Sequence, residues 1–192
     1  MDLTNNTQLV LLIVVALIVV GFLAMAVGRA QRTRRLKERF GPEYERAVEE
    51  IGDKRKAERE LAERVAHVQI LNIRPLSAEQ VNQYSLRWQE TQREFVDEPL
   101  AALQKADRLI QEVMKVKGYP VNDFEQRVAD ISVDYPELVT DYRGMHRIAS
   151  REATENVTTE EIRQAMIHGR ALFENLITQK PNEQEFNRKE KI

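Results

Sequence analysis

This 192-residue sequence predicts an all-α protein: a single N-terminal transmembrane helix followed by a soluble helical bundle of about five helices. Three observations carry that prediction. Leu9–Val27 is 19 residues without one polar or charged side chain. The rest of the chain repeats apolar residues at helical spacing between capping residues, Gly and Pro. No stretch shows the sustained alternation or the Asn-Gly turn that paired strands require. The expected organisation is a short polar leader over 1–8, the transmembrane helix over 9–28, a basic juxtamembrane segment over 29–40, the bundle over 41–178 and a disordered tail over 179–192.

The apolar stretch reaches about 28 Å as a helix, one hydrocarbon core. Fourteen of its 19 residues are Leu, Ile, Val or Phe, which together favour insertion by about 4–8 kcal/mol at mid-bilayer. Ala24-Met25-Ala26 matches the small-x-small pattern of a signal-peptide cleavage site, but the leader has no Lys or Arg, and the apolar run is longer than an export signal needs. Ala24 and Gly28 form one small-xxx-small pair, weak evidence for close helix approach.

The basic segment comes immediately after. Arg29, Arg32, Arg34, Arg35, Lys37 and Arg39 are opposed only by Glu38, a net +5 in 11 residues. Orientation is set by such Lys/Arg asymmetry, so the N-terminus is expected outside and the bundle in the cytoplasm, at the inner membrane of a cell; an extracytoplasmic bundle is the alternative. The same residues suit anionic lipid head groups, at about 1 kcal/mol per basic side chain near the surface. Nucleic acid is not an expected partner, because residues 40–192 carry 23 basic and 29 acidic side chains, a net −6 that repels phosphate.

Gly41-Pro42 should interrupt the first helix, since Pro is tolerated at a first helical position. From Glu43 to Gln69, charged residues alternate with apolar ones at helical spacing, reading as one long solvated helix or weak coiled coil with Glu50–Lys54 and Glu60–Arg64 as i,i+4 pairs; Gly52 costs it about 1 kcal/mol. Ser77 with Gln80 is a capping box, and it opens a helix whose Val81, Tyr84, Trp88 and Phe95 form a core stripe rather than a ligand platform. Pro99 restarts a helix that Gly118 ends, with Leu103, Ala106, Ile110 and Val113 inward. Asn122 with Glu125 suggests the next cap. Pro136 breaks the chain again before the stripe of Leu138, Tyr142, Met145 and Ala149. Thr158 with Glu161 is a second capping box, and the helix after it turns Ile162, Ala165, Met166 and Phe173 inward.

Chemistry has few footholds. Without cysteine there is no disulfide, thiol nucleophile or Cys-ligated zinc. His67, His146 and His168 lie outside H-E-x-x-H and E-x-x-H spacings. No Walker A, G-x-G-x-x-G or G-x-S-x-G occurs. No catalytic, cofactor-binding or metal-ligating residue is assigned. His146, one turn after Tyr142, reads as a structural histidine that could hydrogen-bond along its own helix.

Several stretches taken together are distinctive: Arg39-Phe40-Gly41-Pro42-Glu43-Tyr44, Phe95-Val96-Asp97-Glu98-Pro99, Gly118-Tyr119-Pro120-Val121, Asp123-Phe124-Glu125-Gln126-Arg127 and Arg163-Gln164-Ala165-Met166-Ile167-His168. With them the chain, from about Arg35 to Leu176, resembles a bacterial family of uncharacterised membrane-anchored helical proteins, often labelled only hypothetical or secreted. The resemblance implies a tethered helical domain and transfers no activity and no site residue. One position departs from it: Gly169 stands where the family leads one to expect an aromatic ring, and it should leave a packing gap.

The leading expectation is therefore a membrane-tethered, non-catalytic interaction or scaffold module with an unknown protein partner. The rival is a ligand-binding domain or enzyme whose site assembles from distant helices. A pocket beside His146 or His168 would favour the rival, and a filled core the first.

Overall fold

The computed structural model describes residues 3–151 and 157–178, and the chain divides into two units, Met1–Arg39 and Phe40–Ile192. The leader residues Met1 and Asp2 and the expected tail over 179–192 lie outside the described residues. Every element described is helical: eight α-helices and one 3-10 turn, with no strand among the described residues.

The first unit is formed by α1 (Leu3–Phe40), uninterrupted from the leader through the apolar stretch and the basic segment. Its 38 residues rise about 57 Å. Among the described residues it is the one helix long and apolar enough to cross a membrane, and its apolar window, Ala16 onward, is not buried at all. Leu17, Phe22 and Leu23 stand in the open, which in water is unfavourable for an apolar run of this size.

Among the described residues the second unit holds seven α-helices rather than about five. Gly41 turns the chain with φ +48°, and α2 (Pro42–Ile51) begins on the proline. The expected long helix over 43–69 is two. Gly52 takes the left-handed conformation, φ +69°, and its N–H returns to the Val48 carbonyl at 3.0 Å, so glycine here ends a helix instead of weakening one. Asp53 then caps α3 (Lys54–Ile70) by accepting from the Arg55 and Lys56 amides. The break also separates Glu50 from Lys54: Glu50 pairs with Arg46 at 3.2 Å and Lys54 with Glu58 at 3.9 Å.

The Ser77–Gln80 capping box forms in both directions and opens α4 (Ala78–Glu94). α5 (Pro99–Lys117) runs from Pro99 to the left-handed Gly118. The cap of α6 (Phe124–Asp134) is Asp123, whose carboxylate accepts from the Gln126 amide at 2.8 Å, not Asn122; the carboxylate is the stronger acceptor for a helix N-terminus. Pro136 starts a 3-10 turn (Pro136–Leu138) that leads into α7 (Val139–Ala149). Thr158 and Glu161 exchange the expected bonds at the start of α8 (Thr159–Thr178).

One core joins α4 to α8. Trp88 stacks on Phe173, ring centroids 4.4 Å apart, and Leu103, Ile110, Met145 and Leu172 are buried around them. The aromatic stripe is thus core, as its spacing predicts. Gly169 leaves no gap. It is buried on α8, and a Cβ there would lie 2.7 Å from Met145 Cε and closer still to its sulfur. Met145 of α7 fills the space assigned to a ring.

Gly118 is equally constrained. With φ +107°, any Cβ would meet the Asn72 carbonyl oxygen at 2.5 Å, where the connector after α3 crosses the end of α5 and Arg74 donates to the Lys117 carbonyl at 2.8 Å. Gly118→Ala is expected to destabilise the second unit by at least about 1–3 kcal/mol, since strain at φ > 0 adds to a clash with rigid backbone. A urea midpoint unchanged from wild type would contradict this.

Candidate functional site

Four polar constellations are candidates, and each is positioned by its helices. On α1, Arg29, Arg32, Arg34, Arg35 and Lys37 are exposed and Arg39 is partly so. At about 100° per residue these positions fall all round the axis, so the sequence's basic segment is a collar and not a stripe. Glu38, its one acid, pairs with Arg34 at 2.8 Å, and an exposed i,i+4 pair of this kind adds only a few tenths of a kcal/mol.

The second constellation centres on Glu43 at the start of α2. Its side chain is 1% exposed, and its Oε1 receives Arg143 of α7 at 2.8 Å and Arg64 of α3 at 3.2 Å, with Arg46 at 3.5 Å. Arg64 also reaches Glu60 at 2.5 Å and the Ser132 hydroxyl of α6 at 3.4 Å. Burial lowers the Arg143 pKa, opposed by the Glu43 charge. One carboxylate therefore ties three helices, with Glu43 Oε2 and the Nε atoms of Arg64 and Arg143 left without a hydrogen-bond partner. In sequence Glu43 reads as one more acid near a helix start, with no mark of a partner. Its partners Arg64 and Arg143 lie 21 and 100 positions along the chain, beyond any local pattern.

The third is Asp107–His146–Ser150. His146 does not bond Tyr142, the partner its spacing suggests. Its Nδ1–H donates to Asp107 of α5 at 2.9 Å, its ring stacks on Phe124 at 3.9 Å, and its Nε2 lies 3.3 Å from the Ser150 hydroxyl at the end of α7. Gln111 holds the same Asp107 oxygen at 2.7 Å. The Tyr142 hydroxyl instead accepts from the buried Arg127 at 2.9 Å, and burial raises its pKa. The order acid, imidazole, hydroxyl is that of a nucleophilic relay, but the electrostatics oppose acyl transfer. Ser150 sits at a helix C-terminus, where carbonyls concentrate negative charge, and the Ser150 and Arg151 amides are already bonded to the His146 and Ile148 carbonyls. An oxyanion needs N–H donors at that point.

The fourth is a polar seam between α3 and α6. Asp130 is fully buried, accepts from Gln126 at 2.8 Å and lies 3.6 Å from His67 Nε2. Burial raises its pKa. Nearby, Tyr119 donates to Asp134 at 2.5 Å, and the buried Lys117 ammonium donates to the Leu176 carbonyl at 2.8 Å, closing the last turn of α8. Lys117 reads as surface charge in sequence, because one lysine in a helix's last turn carries no burial signal.

Between α4 and α5 runs a groove of about 280 Å³, lined mainly by charged side chains. Two ion pairs span it, Arg87–Glu112 at 2.6 Å and Lys105–Glu94 at 2.5 Å, so most of its charge is already satisfied. His168 stands 3.5 Å from Asp141 on the surface. No group of three or more potential metal ligands occurs among the described residues.

Four of the five distinctive stretches fall at joints between helices, and residues 163–168 lie within α8. Phe40, Glu43 and Tyr44 are buried around the α1–α2 turn, Gly118 and Tyr119 end α5, and Arg127 is buried against Tyr142 and the Val121 carbonyl. No protein-family model, curated protein or solved structure matches the chain.

Proposed function

We propose that the chain is a membrane-tethered, non-catalytic interaction or scaffold module of the bacterial cell envelope, anchored by a single pass of α1. The observation that carries this reading is the exposure of the α1 apolar window: every α-helix of the second unit has buried residues, while this window offers its whole circumference to its surroundings. The collar beyond it extends about 15 Å along the axis, the right place and shape for lipid head groups around an upright helix. A helix lying on the surface would gather its cations on one side. The anionic lipid is the first partner, and a protein partner met by the helical domain is the second.

We assign the N-terminus to the outside and the helical domain to the cytoplasm, from the Lys/Arg asymmetry. The absence of cysteine makes this testable. Arg59, exposed on α3, replaced by Cys, would carry the single thiol. In intact cells a membrane-impermeant maleimide should leave it unlabelled, and labelling should appear on lysis. Labelling before lysis reverses the orientation; labelled protein in the soluble fraction removes the anchor as well.

The second reading, an enzyme assembled from distant helices, draws on Asp107–His146–Ser150. It ranks below the first because Ser150 lies at a helix C-terminus and the amides beside it are already bonded to carbonyls.

A further inference from the structure

We propose that α2 and α3 form a proton-responsive clamp, a separately packed helix pair whose docking on α6 and α7 tightens when one proton enters the His67–Asp130 contact. The inference rests on residues 40–178 and does not depend on the membrane reading.

Three observations lead to it. The first is packing. The core that unites α4 to α8 includes none of the buried apolar residues of α2 and α3: Tyr44, Ala47, Ala57, Leu61 and Val68 lie outside it. The two helices pack on each other and are tied internally by the Tyr44 hydroxyl donating to Glu58 at 2.8 Å. They meet the remainder through α6 and the 3-10 turn.

The second is the chemistry of that junction, where the bonds that cross it are polar. Glu43 receives Arg143, Arg64 reaches Ser132, and His67 faces Asp130. Polar ties of this kind are commoner between parts that open separately than inside one core.

The third is an incomplete contact. Asp130 Oδ2 and His67 Nε2 are both buried without a hydrogen-bond partner; His67 Nε2 lies 3.6 Å from the other oxygen, Oδ1, which already accepts from Gln126, too far for a hydrogen bond. The groups acting on Asp130 are few. From α3 come His67 and Arg64; from its own helix, Gln126 and Asp134; and from the connector before α6, Tyr119. Arg64 is largely engaged by Glu43 and Glu60, and Asp134 adds negative charge. With His67 neutral, docking buries a carboxylate that lacks a full partner. One proton removes that burden wherever it sits. On His67 it makes an ion pair, and on Asp130 it makes a neutral acid with an O–H to donate. When the pair is undocked, both groups return to water and neither gain exists.

Linkage sets the sign. A carboxyl whose affinity for protons is higher in the docked state favours docking at low pH and loses that contribution as pH rises through its docked value. Burial raises Asp130 in this structure, so docking tightens on acidification, by at most tenfold per pH unit for one proton. The relevant window lies above the ordinary carboxylate range, the direction in which burial moves Asp130.

The test is hydrogen exchange by mass spectrometry on the full chain in detergent micelles between pH 5 and 7.5, each rate divided by its intrinsic chemical rate. Peptides from α2 and α3 should open independently of α5 and α8, and their protection should grow severalfold to tenfold per unit as pH falls through the window. Asp130→Asn should remove the tightening on acidification and leave the pair as protected at pH 7.5 as wild type is at low pH. His67→Gln removes the facing imidazole and should leave a tightening on acidification in place, carried by Asp130 alone. Exchange of α2 and α3 in step with α5 and α8 at every pH would overturn the separate clamp. A pH response that survives Asp130→Asn unchanged would overturn the proton site. If Asp130→Asn does not fold, the wild-type comparison and His67→Gln still decide.

Discussion

Replacing Glu43 with alanine is expected to loosen the α2–α3 pair by about 3–5 kcal/mol, the cost of removing one partner from a buried charge cluster. The reason is the charge left behind. Arg64 and Arg143 are only 14% and 17% exposed at the side chain, and both would lose the carboxylate that balances them. Arg46, 37% exposed, can turn to water and adds little. Amide exchange in α2 and α3 should accelerate by roughly two to three and a half orders of magnitude. Glu43→Gln keeps the shape and one acceptor but not the charge, so it should fall between the two. A change below about 1 kcal/mol for the alanine variant would mean that the guanidiniums find water or Glu60 at no cost, and the cluster would not be what holds α2 to α7.

The second large effect is at Gly169. Alanine there gains about 1 kcal/mol of helix propensity, yet its Cβ must displace Met145, and overpacking costs about 1–3 kcal/mol. A net loss of about 1–2 kcal/mol in denaturant stability is expected. Phenylalanine, the kind of residue the family resemblance leads one to expect, should cost well over 3 kcal/mol, because Met145 is fully buried and has nowhere to go. The diagnostic is coupling. Combined with Met145→Ala, Gly169→Ala should become neutral or favourable relative to Met145→Ala alone, a coupling of about 1 kcal/mol or more. Additive effects would show that the α7–α8 contact is looser than the structure has it.

These two residues also mark how far sequence reaches. Helix ends are legible wherever a local rule controls them: Ser77–Gln80, Pro99, Gly118 and Thr158–Glu161 act through bonds to residues within four positions. The apolar faces of α4, α5 and α8 are legible because period and burial coincide. Gly52 misleads because glycine costs a helix in its interior and serves it at its end, and only the next residue tells the two apart; Asp53, a capping residue, is that signal. Glu43, Lys117, Arg127 and Asp130 are not legible at all. A charged side chain is buried by partners far along the chain, and its own neighbours carry no trace of them. The same holds for His146, whose partner Asp107 lies 39 positions away, while Tyr142, one turn back, is the residue that local spacing offers. The gap expected at Gly169 considers only its own helix, whereas the atom that fills it belongs to α7.

The bond between Glu43 and Arg143 joins residues 100 positions apart, and that separation sets a schedule for biosynthesis. A ribosome adding about 5–20 residues per second needs roughly 5–20 s after Glu43 to make its partner. During that interval Glu43 faces water rather than Arg143. The α2–α3 pair can form early from its own contacts, but its closure waits for α7. Nascent chains stalled before residue 143 should therefore expose α2 and α3 to protease, and chains stalled well beyond it should protect them.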